Sequence, residues 1–252
     1  MHERLTAPQP DPLIELPGAE PAAVRRPRPA RAVPSQRARS ADEQQLSLFG
    51  VEAAPPAPED LEGLLAGPGQ VVRMGGTARV SVIVEEVWRA RVLAREFALR
   101  GLTTTCVPSA DEHIGVRTAY STRLAALAGA WLRGAAVKVP PPDFGLDGRR
   151  LRLWAIAAGQ YDPLGFTLRL GTSDESAWAA VGAALTSLGL PATLLGPRAG
   201  GPGYRISGRR RLYRLAELVG DTPAGTPPET WPTRHSGGSE ETDTVTRDVS
   251  HG

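Results

Sequence analysis

The chain has 252 residues with 29 Arg and Lys against 27 Asp and Glu, a formal charge of +2, and a single cysteine, Cys106. One cysteine excludes a disulfide framework and a cysteine-based metal site, and the four scattered histidines offer no ligand spacing. No stretch near the N-terminus has the basic, apolar, small-residue order of a signal peptide, and no apolar run approaches the ~20 residues of a membrane span, so a cytoplasmic location is expected. The charge is also partitioned: residues 76–220 hold 19 Arg and Lys against 11 Asp and Glu, whereas from 221 onward two Arg face six acids. A basic middle of this kind suits a polyanionic partner.

Residues 1–57 alternate Pro, Ala, Arg and Glu without a helical or strand period and are expected to form a disordered basic arm. Within it Arg25-Arg26-Pro27-Arg28-Pro29-Ala30-Arg31 reads equally as a set of sequence-independent phosphate contacts or as a solvated linker. Large apolar residues gather at one place in the arm, Gln45-Leu46-Ser47-Leu48-Phe49, with no helix or strand to bury them. This pentapeptide resembles the linear motif by which bacterial polymerases and repair proteins dock on the DNA sliding clamp. The resemblance implies polar contacts from Gln45 and an apolar cleft filled by Leu48 and Phe49, with residues 50–58 as tether.

Residue 58 opens the part of the chain with regular pattern. Asp60 precedes Leu61-Glu62-Gly63-Leu64-Leu65-Ala66-Gly67, a short amphipathic helix stopped by Gly67-Pro68-Gly69. Ala78, Val80 and Val82 alternate with Arg79 and Ser81, which predicts a half-buried strand. A helix follows over 85–99, then strands over 103–107 and 114–120, then a helix over 122–132. Cys106 is expected as a small buried hydrophobe on its strand.

After Pro140-Pro141-Pro142-Asp143 the same order returns at an offset of 88 residues. Gly101-Leu102 matches Gly189-Leu190, Gly115-Val116-Arg117 matches Gly203-Tyr204-Arg205, and Leu124, Leu127 and Ala128 match Leu212, Leu215 and Ala216. The chain is therefore an internal duplication with halves at 58–134 and 147–221, each read as helix, strand, helix, strand, strand, helix. Residues 222–252 are expected as a disordered acidic tail. Leu61–Gly67 and Leu151–Gly159, each ending in Ala-Gly, head the halves and are expected to pack together. The strands then present Arg79, Ser81, Arg117, Thr167, Arg169 and Arg205 on an open face, forming an arginine-lined saddle suited to a duplex groove. Arg209 and Arg210, with Arg211, open the last helix; as phosphate contacts they complete the candidate set, although a solvated basic turn explains them equally.

This arrangement resembles the LAGLIDADG homing-endonuclease fold, and most of all its version in the WhiA sporulation regulators. The second half carries the likeness: Trp154-Ala155-Ile156-Ala157-Ala158-Gly159, then Asp162-Pro163, a strand over 166–170 and a helix over 175–188. The resemblance implies an α+β duplicated saddle that binds double-stranded DNA. Active members of that family carry an acid at the end of each paired helix to hold divalent metal. Here those positions are Gly67 or Pro68 and Gly159 or Gln160, so a protein that is not an enzyme, with no cofactor and no metal, is expected. Asp162 reads as part of an Asp-Pro turn. The expected role is a monomeric, nucleoid-associated DNA-binding protein held to the sliding clamp in replication or repair. Two alternatives stand beside it: a WhiA-like transcriptional regulator without a clamp role, and a protein-interaction module.

Overall fold

The computed structural model describes residues 50–51, 54–109, 112–134 and 137–233. The first half begins with a 3-10 turn Pro58–Leu61 that leads into helix α1, Glu62–Ala66. It continues with strands β1, Gln70–Met74, and β2, Thr77–Val84, helix α2, Val87–Leu99, and strands β3, Thr104–Pro108, and β4, Ile114–Thr118. Helix α3, Ala125–Trp131, closes the half, and a small hairpin of β5, Leu132–Arg133, and β6, Val137–Lys138, leads out of it. The second half repeats this with α4, Gly148–Ala158, β7, Gly159–Asp162, β8, Gly165–Arg169, α5, Glu175–Ser187, β9, Thr193–Leu195, β10, Gly203–Ile206, and α6, Arg209–Val219. Each half builds a four-stranded antiparallel sheet, in the orders β1-β2-β4-β3 and β7-β8-β10-β9. The α+β class and the duplication are thus those expected. Each half has one strand more than expected, because β1 and β7 were not separated from the helix ends that precede them.

The repeated Gly-Leu pairs have a geometric cause. Gly101 and Gly189 both adopt positive φ at a helix end. In each case the glycine N–H and the following leucine N–H return to carbonyls of the last turn, Ala98 and Phe97 in one half and Thr186 and Leu185 in the other. This is the glycine-ended cap that satisfies orphan helix carbonyls, and its accompanying apolar contact comes from the buried Leu102 and Leu190.

Helices α1 and α4 pack side by side at the centre of the core. A Cβ on Gly63 would fall 1.8 Å from the Arg150 carbonyl oxygen, and one on Gly67 would strike the Trp154 indole. The close approach expected at the Ala-Gly ends is thus made at Gly67, against the Trp154 side chain, and again a turn earlier at Gly63, against the α4 backbone. Around this pair Leu61, Leu64, Leu65, Trp131, Leu151 and Trp154 are fully enclosed, and the inner strand faces add Val80, Val116, Phe166 and Leu168.

Three further expectations are corrected. Cys106 is exposed, because β3 is an edge strand. The tail expected from residue 222 is packed as far as the described chain runs: Trp231 is buried, donates its indole N–H to Gly220, and lies under the Arg152 guanidinium. At the other end, Val51 donates its N–H to Leu218, in a notch where neither Gly148 nor Gly220 has room for a Cβ. The tether from 50 to 58 is thus pinned to the second half at its first residues.

Candidate nucleic-acid interface

Strand register decides which side chains share a face, since directly opposed residues project the same way. In the first sheet Val72 opposes Arg79, Gln70 opposes Ser81, and Ser81 opposes Arg117. These alternate with the buried Val71, Ala78, Val80, Val82 and Val116, so Arg79, Ser81 and Arg117 lie together on the face turned away from the core. The Arg79 guanidinium carbon sits 4.9 Å from the Tyr120 ring centroid, an attraction that holds the side chain in place. Arg117 is exposed and makes no ion pair with another described residue.

The second sheet presents its set differently. Gln160 opposes Thr167, and Thr167 opposes Arg205. Arg169 is exposed and donates twice to Gln160 Oε1, at 3.3 and 3.0 Å. Asp162 Oδ2 accepts the Thr167 hydroxyl at 2.7 Å and Arg205 Nε at 3.0 Å, and Oδ1 accepts the Leu164 N–H. Burial works to raise the Asp162 pKa, but these hydrogen bonds and the charge of Arg205 outweigh it and hold the carboxyl below its ordinary value. Asp162 is therefore more than a turn residue: it engages two of the expected interface side chains. Thr167 is nearly buried, and its hydroxyl is committed to this carboxylate.

Arg117 and Arg205 match at 88 residues in sequence, yet they are not on equivalent rungs. The hairpins correspond, because Val72 opposite Arg79 becomes Gln160 opposite Thr167. Arg117, however, opposes Ser81, while Arg205 opposes Thr167, the counterpart of Arg79. Strand β10 is displaced by two residues relative to β4, enough to keep the arginine on the same face and move it one side-chain step.

The two open faces meet at a cleft of about 150 Å³ lined by Ile83 and Glu85 from one half, Gln160 and Arg169 from the other, and Pro68, Arg89 and Gly159 at the helix ends. Cations close both helix ends. Arg89 donates to the carbonyls of Ala155, Ile156 and Gly159 at the end of α4. Lys138 Nζ donates to Gly67 and Gly69 after α1, at 2.9 and 2.8 Å, and pairs with Asp174 at 2.7 Å. Positive groups there complement the negative end of the helix dipole and satisfy carbonyls that would otherwise be orphaned. Burial depresses the Lys138 pKa, with Asp174 working against the shift. The sequence held one signal for this residue: Lys138 is the sole lysine in the chain.

Arg209 and Arg210 lie on the exposed first turn of α6 and, with Arg211, Arg214 and Ser207, border a wider concavity of about 770 Å³. They stand three and four residues beyond the end of β10, outside the strands of the second sheet. Gln45, Leu46, Ser47, Leu48 and Phe49 lie outside the described residues.

No family model and no curated protein matches the chain. Among solved structures it is similar to the homing endonuclease I-WcaI bound to its DNA recognition sequence, with 12% identity over 75% of this chain and 89% of that one and a TM-score of 0.49. It is also similar to I-DmoI in complex with DNA and Mn, with 14% identity over 65% of this chain and 98% of that one and a TM-score of 0.37. Identities this low concern the fold and transfer no residue's role. The expectation that the chain is not an enzyme is corrected by these comparisons: the structures it resembles are endonucleases. Among the described residues no helix is long and apolar enough to cross a membrane.

Proposed function

We propose that the chain binds duplex DNA across the two open sheet faces. The observation that carries this reading is the register that puts Arg79, Ser81 and Arg117 on one face and Arg169 and Arg205 on another, with both faces bordering one cleft. No acidic residue of the first sheet projects from its open face, and the second has Asp162 alone, already engaged. Arg209 and Arg210 extend the positive surface past the sheet edge and reach flanking phosphate. The direct test is a duplex-binding titration over a range of salt. Arg117→Ala and Arg169→Ala each weaken binding, and each lost phosphate contact lowers the slope of log K against log salt by about 0.9. Unchanged affinity and slope in the double variant refute the reading.

The finer part of the proposal is that Gln45–Phe49 docks on a sliding clamp, which sets the protein in replication or repair. Its support is the five-residue match, with Gly50 alone between the motif and the Val51 anchor on Leu218. A short, fixed exit raises the effective concentration of domain and clamp on the same DNA. Pull-down of purified clamp by the full chain, compared with Leu48→Ala/Phe49→Ala, tests it. Equal capture by both sinks the clamp role and leaves DNA binding standing.

A further inference from the structure

The two open faces differ in chemistry at matched positions. Val72 and Met74 project from β1 beside Arg79 and Thr77, and Ile83 projects from β2 beside Gly115. All three are large, apolar and open to solvent, at 42%, 58% and 60% exposure. Their counterparts 88 residues later are Gln160, Asp162 and Gly171, none of them apolar and bulky. The hairpins correspond in register, so this is a residue-for-residue difference on one surface and not a slipped strand. Val72 and Met74 adjoin on β1, and Ile83 stands two rungs further along β2, beyond the Gln70 and Ser81 rung; exposed apolar side chains gathered on one face mark a contact surface.

The occupant follows from what surrounds them. Arg79 lies directly opposite Val72, Arg117 lies one strand further in, and none of the strand residues sharing that face is acidic, with Glu85 standing just past the end of β2 at the cleft. A partner must therefore offer apolar groups set between negative charges. Duplex DNA does so in its major groove wherever thymine occurs, because the thymine 5-methyl is the one apolar group on a base edge there, and phosphates flank it. The second face, with Gln160 and Arg169, carries amide and guanidinium groups of the kind that hydrogen-bond purine edges.

We infer that the first sheet reads thymine methyls through Val72, Met74 and Ile83, which makes the DNA site asymmetric: thymine-bearing under the first half and hydrogen-bonded under the second. This rests on the duplex reading above. The probes are an alternating dA-dT duplex and an alternating dA-dU duplex of equal length, which have the same charge and the same hydrogen-bonding groups and differ in the 5-methyl alone. The full chain should bind the dA-dT duplex more tightly, by about fourfold for each methyl covered. Val72→Asn with Met74→Gln and Ile83→Gln, which replaces all three apolar ends by amides at exposed positions, should bring the dA-dT to dA-dU ratio close to one; a ratio unchanged from the wild type overturns the inference. Arg117→Ala should weaken both duplexes alike. Equal affinity of the wild-type chain for the two probes overturns the inference while duplex binding stands; binding to neither overturns the duplex reading itself.

Discussion

Lys138 offers the sharpest energetic test, because its three ammonium hydrogens meet three acceptors in a buried place. Nζ lies 2.9 Å from the Gly67 oxygen, 2.8 Å from the Gly69 oxygen and 2.7 Å from Asp174 Oδ2. Lysine and aspartate are 4% and 7% exposed, so solvent screening takes little from the pair. Lys138→Met keeps most of the stem and removes the charge. Asp174 is then left buried with a long contact from Gln70 Nε2 at 3.4 Å, and two carbonyls beyond α1 lose their donor. Removing one partner of a buried ion pair costs about 3–5 kcal/mol, mostly because the other charge stays behind unpaired. For a folded part of this size that is a fall in Tm of about 6–20 °C. Urea and thermal unfolding measure it, and a cycle with Asp174→Asn apportions it: the double variant should be clearly more stable than Lys138→Met alone, since it leaves no stranded carboxylate. A loss under about 1 kcal/mol in Lys138→Met, or additive losses in the double variant, would refute the reasoning.

Two further outcomes are expected. Gly63→Ala places a methyl 1.8 Å from a backbone oxygen that no rotamer change can move, so α1 and α4 must separate and urea unfolding should show a loss of about 2–4 kcal/mol; near-wild-type stability would mean the helices are not in contact at Gly63. Asp162→Asn weakens the hold on Arg205 and removes a negative charge from the open face, so duplex affinity should rise. Because the Asp162 pKa is depressed, its stabilising contribution is complete above the ordinary value of 3.8 and is lost as pH falls through the depressed one. The stability gap between wild type and Asp162→Asn should close in that acid window and nowhere above it.

What the sequence disclosed, and what it concealed, follows from where each signal resides. The duplication was legible because the caps at Gly101-Leu102 and Gly189-Leu190 demand glycine at positive φ and a leucine to bury, and those demands leave residues in the chain. Strands β2 and β8 were legible by alternation or by apolar run. Strand β1 was not: Gln70–Met74 has one buried side chain, Val71, and follows Gly67-Pro68-Gly69, so it reads as loop. Strand β7 begins at Gly159, the residue after α4 ends, and Asp162-Pro163 mimics a turn. With those two strands hidden, the side chains that define the open faces beside Arg79 and Arg169, namely Val72, Met74, Gln160 and Asp162, had no face to be assigned to. Lys138 was hidden for a different reason: it lies in a two-residue strand, and its partner Asp174 is brought to it by tertiary packing alone.

The same hidden strands change what duplication means here. A copied half supplies two sheets with a common hairpin register, and from that alone one would expect a symmetric surface that fits a symmetric partner. Two local differences break the equivalence. The two-residue displacement of β10 puts Arg205 over Thr167, within reach of Asp162, whereas Arg117 over Ser81 makes no ion pair with another described residue. The hairpin itself carries Val72 and Met74 in one half where the other carries Gln160 and Asp162. One acid therefore does two things: it restrains the arginine of its own half and occupies the position where the first half is apolar. Met74→Asp is the corresponding exchange in the first half. It should lower duplex affinity by placing a negative charge on the open face, with little change in stability, since Met74 is exposed. A variant that binds duplex as tightly as the wild type would show that the β1 side of this face is not part of the contact.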